Sequence, residues 1–174
     1  MTTHPLSPLR GGSEMTLRDS FDALLERACR KHVPVLGKRL GDKPSYFLVG
    51  DEPTERDLTL SRPFTGQMNE VLVAAMESLG QKYGTSPDDF YITYLVKCRF
   101  QEGDITEEEV TKDWLTILQV EYALSGCTNV VCIGAKARLF AGHIQHLPEE
   151  YREKKSSAPS WREKVERAWQ ILRS

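Results

Sequence analysis

Three short apolar runs, each closing on a polar or glycine-bearing segment, constrain this chain more than any other feature. They are Tyr46-Phe47-Leu48-Val49, Phe90-Tyr91-Ile92-Thr93-Tyr94-Leu95-Val96 and Asn129-Val130-Val131-Cys132-Ile133-Gly134. Continuous runs of β-formers this short read as buried strands. The stretches between them have helical spacing. Thr16 or Asp19 can cap a helix to about Lys31, with Leu17, Phe21, Leu24, Leu25 and Ala28 as its apolar stripe. A second helix is expected from about Gln67 to Leu79, with Met68, Val71, Leu72, Ala75, Met76 and Leu79 facing a core and Gly80 and Gly84 ending it. Thr106-Glu107-Glu108-Glu109 fits a capping box at the start of a third helix, reaching about Leu124. Ala135 to Phe140 starts a short helix. Trp161 to Leu172 is expected to close the chain as a helix, with Trp161, Val165, Ala168, Trp169 and Leu172 on one face. Asp51 to Phe64 reads as a polar loop and the segment around Pro34, Gly37 and Gly41 as irregular chain.

Strands alternating with helices imply a parallel sheet covered on both faces. Ligands on such sheets sit beyond the carboxyl ends of the strands. Those ends are Gly50-Asp51-Glu52-Pro53, Lys97-Cys98-Arg99 and Gly134-Ala135-Lys136. Residues 1–14 are expected to be a disordered tail and residues 15–174 one domain. The formal charge of −2 gives no global basic field, which argues against nucleic-acid binding through bulk charge but leaves room for a local patch. Cys29, Cys98, Cys127 and Cys132 are few and unevenly spaced, and no apolar leader is visible. The expectation is a cytoplasmic protein with reduced thiols, Cys127 and Cys132 being core residues. No apolar run approaches the roughly 20 residues needed to cross a bilayer, and no phosphate-binding or dinucleotide-binding glycine motif follows a strand.

Four blocks occur in order: Phe47-Leu48-Val49-Gly50-Asp51-Glu52-Pro53, Ser61-Arg62-Pro63-Phe64-Thr65-Gly66, Phe90 through Arg99, and Val130 through Ala137. Together they resemble the uracil-DNA glycosylase superfamily, closest to its iron–sulfur (family four) branch, which shows G-E-A-P-G, G-R-P-F-V-G, Y-I-T-N-x-V-K-C-R and G-A-x-A. The resemblance implies a three-layer αβα sandwich with a short, mostly parallel four-stranded sheet. It implies a DNA partner, single-stranded or duplex, whose base is flipped into a pocket, and a monomeric enzyme. Asp51 and Glu52 become the candidate catalytic carboxylates, Asp51 by alignment with the Glu of G-E-A-P and Glu52 by alignment with the Asp of G-Q-D-P-Y. A carboxylate there can position water or stabilise positive charge developing on the sugar. Gly50, Pro53, Phe64 and Tyr94 become base-pocket residues, Phe64 as the stacking ring. Arg62, Arg99, Lys136 and Ser160 become DNA contacts. The plain alternatives are loop acids capping a turn, a core Phe64 and a surface Arg62.

Three positions depart from the family pattern. Tyr94 stands where the family has the Asn that pairs with the uracil edge; it cannot make that pair, and its ring would fill much of a uracil-sized pocket. Ala158-Pro159-Ser160 stands where H-P-S or H-P-A is usual, with His146-Leu147-Pro148 as a rival match. At the positions of the four cluster cysteines, Cys29 and Cys98 survive, and His32 and Asp113 stand in place of the other two. That set is either a decayed 4Fe-4S site or a Cys-His-Cys-Asp metal site able to take zinc or a cluster. The departures leave several functions open: a glycosylase for a modified or bulky pyrimidine, a transferase in phage-type DNA hypermodification, or a non-catalytic DNA- or protein-binding module.

Overall fold

The computed structural model describes residues 16–99, 110–152 and 169. A helix, α1, spans Leu17–Cys29. It starts in a capping box: the Thr16 hydroxyl accepts from the Asp19 amide at 3.0 Å, and the Asp19 carboxylate accepts from the Thr16 amide at 3.1 Å. Leu17, Phe21, Leu25 and Cys29, spaced four apart, are buried against the sheet.

Four strands form one sheet: β1 (Lys38–Arg39), β2 (Tyr46–Gly50), β3 (Phe90–Tyr94) and β4 (Asn129–Cys132), in the order β1-β3-β2-β4. β2 runs parallel to both β3 and β4, while β1 is antiparallel to β3 at the edge. The mixed α/β architecture and the mostly parallel four-stranded sheet are as the sequence implied. The edge strand is an addition. Lys38 and Arg39 carry no apolar signal, and they pair only because Ile92 and Tyr91 of β3 offer free backbone groups opposite them. The guanidinium of Arg39 donates to the carbonyls of Ser125 and Leu124, capping the end of the helix behind the sheet.

The stretch read as a loop contains a short helix, α2 (Glu55–Leu60), built on a second capping box between Thr54 and Asp57. The next helix, α3 (Gln67–Tyr83), runs past Gly80 to a left-handed Gly84. A Cβ on Gly80 would lie 2.9 Å from the Thr85 carbonyl oxygen, so this glycine serves close packing and does not end the helix. Val71, expected in the core, is 44% exposed. The buried stripe of α3 turns instead on Leu72, flanked by Met68, Ala75, Met76 and Leu79.

A π-turn at Val110–Trp114 leads into α4 (Leu115–Ser125), and α5 spans Ala135–Leu139. The Thr106 capping box, Ala158-Pro159-Ser160 and most of the closing helix lie outside the described residues. Of that helix, Trp169 is described and is 56% exposed, not turned inward as its spacing implied.

Candidate functional site

The carboxyl edge of the sheet is built by β3 clamping the turn after β2. Beyond Tyr94, the Leu95 amide donates to the Gly50 carbonyl at 2.8 Å and the Val96 amide to the Asp51 carbonyl at 3.0 Å. The turn is thereby fixed by backbone bonds from its neighbour. Gly50 is required by what closes over it: a Cβ there would lie 3.0 Å from Phe64 Cζ and 3.1 Å from Tyr94 Cδ1.

Those two rings are stacked, with centroids 4.6 Å apart and planes inclined by 22°. Both are buried. Phe64 sits in the left-handed region at φ 58°, uncommon for a bulky residue. Its geometry is held by polar bonds. The Tyr94 hydroxyl accepts from the Phe64 amide at 2.9 Å and donates to the Asp57 carboxylate. Asp57 is fully buried and also accepts from the amides of Thr54 (3.0 Å) and Thr65 (2.8 Å) and from the Thr65 hydroxyl. Burial pushes the Asp57 carboxyl up, but the bonds from Thr65, Tyr94 and Thr54 outweigh it and hold it below the usual carboxylate range. Burial, then the bond to Asp57, pushes the Tyr94 hydroxyl well above its ordinary value. It therefore remains a proton donor.

Asp57 is absent from the residues the sequence singled out. Its signal was present: Thr54-Glu55-Arg56-Asp57 is the [ST]-x-x-[DE] pattern of a helix start. No local pattern tells that one carboxylate both closes that box and bonds Tyr94, 37 residues further on.

Asp51 lies at the junction of β2, β4 and α5. Its Oδ1 accepts from the Ala137 amide at 2.8 Å, in the first turn of α5. Gly134 makes room for it, since a Cβ there would collide with the carboxylate. Glu52 is exposed, 3.9 Å from the Lys136 ammonium. Such an exposed pair is worth little in stability. Pro53 is buried beneath the turn, and Arg62 and Arg99 are exposed. Ser160 lies outside the described residues. Lys97, expected at the polar strand end, is fully buried on the opposite face. There its ammonium meets Glu121 Oε1 at 2.6 Å and donates to the Thr93 hydroxyl and the Tyr94 carbonyl.

Of the candidate metal residues, Cys29 and His32 line one cavity below the first helix. Cys29 and Cys98 are joined in a disulfide with Cα atoms 6.1 Å apart, within the usual span of such a bond. This corrects the expectation of reduced thiols at these positions. The bond forms because Cys29 ends the buried stripe of α1 at the place where the chain leaves β3. His32 lies one turn beyond, its amide bonded to the Cys29 carbonyl, and Asp113 is half-buried in the π-turn. With both sulfurs spent on each other, this donor set does not fit a cluster or zinc in the disulfide form. Among the described residues no group of three or more His, Cys, Asp and Glu side chains gathers as a metal site. Cys127 and Cys132 are free thiols, buried and half-buried. No helix of the described residues is long and apolar enough to cross a membrane.

The carboxyl edge of this α/β sheet thus carries Asp51 and Glu52 after β2, the stacked Phe64–Tyr94 pair beside them, and Gly134 after β4. The model of the uracil DNA glycosylase superfamily matches residues 38–173, and the chain belongs to that family. A search of curated proteins finds none that matches.

Proposed function

We propose that this domain engages DNA at the carboxyl edge of its sheet and hydrolyses the N-glycosidic bond of a base other than plain uracil. One observation carries the reading: Tyr94 lies stacked on Phe64, the ring assigned to stack on the extruded base, with its hydroxyl locked to Asp57. A uracil-sized ring has to displace Tyr94, and the phenol offers no amide to pair with the uracil edge. Family membership supports glycosylase-like action on DNA, and the Tyr94 ring supports a change of substrate. In the reaction, water oxygen bonds to the sugar C1′ as the C1′–N bond breaks, and the departing base takes a proton. We assign to Asp51 the role of stabilising the sugar cation; its Oδ1 accepts from the Ala137 amide, which fixes the carboxylate. Glu52 and Lys136 flank the approach of the phosphodiester chain.

The test incubates the protein with DNA carrying uracil, modified pyrimidines or ordinary bases, and reads abasic sites and nucleoside masses. Excision of a modified pyrimidine, poor excision of uracil and loss of activity in Asp51→Asn are expected. A changed nucleoside mass without an abasic site points to base modification in place of cleavage. No change on any substrate, matched by Asp51→Asn, sinks the enzyme reading. A non-catalytic DNA-binding module is the second reading. It is favoured by Asp51 already serving as a cap on α5 and by Glu52 standing in solvent. DNA binding unaffected by Asp51→Asn and Glu52→Gln supports it.

A further inference from the structure

A cleft of about 460 Å³ opens between β1, α2 and α3, with Phe64 and its loop as one wall. Three cations line it, and each comes from a different element: Lys38 from β1, Arg56 from α2 and Arg62 from the loop. All three are exposed, and among the described residues none is joined to an acid in an ion pair. No carboxylate lines the cleft. Asp57, their neighbour in sequence, is turned inward and saturated by its own donors. The Arg56 stem lies over Gly66, where an added Cβ would come 3.2 Å from Arg56 Cδ, and this directs the guanidinium to the cleft. The floor is apolar, formed by Leu72, Met76 and Ile92, with the Asn69 side chain at its side.

We propose that this cleft binds a nucleotide, free or carried in a single strand, with phosphate on Arg56, Arg62 and Lys38 and the base on the apolar floor. Converging cations with no acid among them call for an anion. A purely ionic ligand has no use for the floor, and a purely apolar one has none for the cations. A base is planar and apolar on its faces with a polar rim, and the Asn69 amide offers that rim a donor and an acceptor. The volume is in the range of small-molecule sites. The cleft shares Phe64 and Arg62 with the site read above but neither Asp51 nor Glu52, so it adds a nucleotide subsite to that reading and does not depend on its chemistry.

The experiment measures binding of thymidine 5′-monophosphate and of a short oligothymidylate strand by calorimetry and fluorescence anisotropy. The proteins are wild type, Arg56→Gln/Arg62→Gln and a control of equal charge change, Lys82→Gln/Lys112→Gln, all checked for native circular dichroism. The cleft variant is expected to weaken binding roughly tenfold or more while the control leaves it unchanged. Weakening for the mononucleotide alone identifies a free nucleotide, and weakening for the strand alone identifies a strand segment. Equal effects in cleft and control variants, no binding of either probe, or displacement by inorganic phosphate as effective as by the mononucleotide each overturn the proposal. The DNA reading then still stands if strand binding is lost in Arg99→Gln/Lys136→Gln.

Discussion

The two faces of the sheet are fastened differently. Among the described residues, α1, α4 and α5 bury sixteen behind it in one cluster, including Phe47, Trp114 and Ile117, and α3 and the Phe64 loop bury seven in front. The rear also carries the disulfide and the Lys97–Glu121 pair. The front hangs on one carboxylate, Asp57, with neutral donors around it. The rear is thus a scaffold that fixes where the strands end. On the front, the loop conformation depends on a few bonds among the described residues, and both the stacked rings and the basic cleft are there. Regions that must admit a ligand are drawn from such low-density parts of a fold.

The contrast is broken most severely at Lys97. Its ammonium is fully buried, and burial lowers its pKa against the pull of Glu121. Replacing it by Met strands Glu121 beside the hydroxyls of Tyr91 and Thr93, which donate to that carboxylate. Removing one partner of a buried pair costs about 3–5 kcal/mol. Urea unfolding of Lys97→Met is expected to show that loss as a shifted midpoint. A loss under about 1 kcal/mol means the pair behaves like a surface one.

Next in size is the disulfide, which closes a 69-residue separation. Reduction is expected to cost about 2–4 kcal/mol, chiefly by freeing the unfolded chain. Alkylation of the denatured protein without reductant checks the pairing, since Cys127 and Cys132 alone are free to react. Four reactive thiols with stoichiometric zinc or iron in the native protein show instead that the two sulfurs serve a metal.

On the front, Asp57→Asn replaces an acceptor of four bonds by a group that presents donors to donors. It is expected to cost about 2 kcal/mol, the scale of hydrogen bonds to a charged group. The sign of the pH effect follows from the lowered Asp57 pKa. A carboxylate held below its ordinary value stabilises the fold fully above the unfolded carboxylate pKa, near pH 4, and loses that contribution as pH falls through the folded value. The protection of the Thr65 amide, its exchange rate relative to that of an unstructured amide at the same pH, is expected to fall in acid in the wild type and to lose that dependence in Asp57→Asn. Equal acid sensitivity in both proteins removes Asp57 as the cause.

The rear was the more legible side in the sequence, for a physical reason. Its helices bury wide stripes, so Leu17, Phe21 and Leu25 announce themselves by period alone. The front does not repeat. The α3 stripe turned on Leu72 and left Val71 exposed, β1 is two charged residues, and α2 hid inside an apparent loop. Gly50, Phe64 and Tyr94 stood out as candidate residues through motif order, and the structure brings them into contact. Asp57 and the Cys29–Cys98 bond were not, because each joins elements far apart in the chain, and local pattern contains no information on such pairings.

The smallest expected effect tests the front most finely. Tyr94→Phe keeps the ring and its stacking on Phe64 but removes the hydroxyl. Asp57 then loses one of its donors, and the buried Phe64 amide loses its acceptor. An unmade bond of this kind costs about 1 kcal/mol or somewhat more, so the fold survives. The loss falls at φ 58°, where Phe64 is held against its own preference. Amide exchange at Phe64 is therefore expected to rise well beyond the global change, while amides of α1 and α4 stay protected. If the Tyr94 hydroxyl is what holds the ring pair closed, the same variant takes up a flipped base more readily than the wild type, read by fluorescence of a base analogue in DNA. A Phe64 amide that exchanges no faster in Tyr94→Phe shows that ring stacking alone, and not the bond to Asp57, holds the loop.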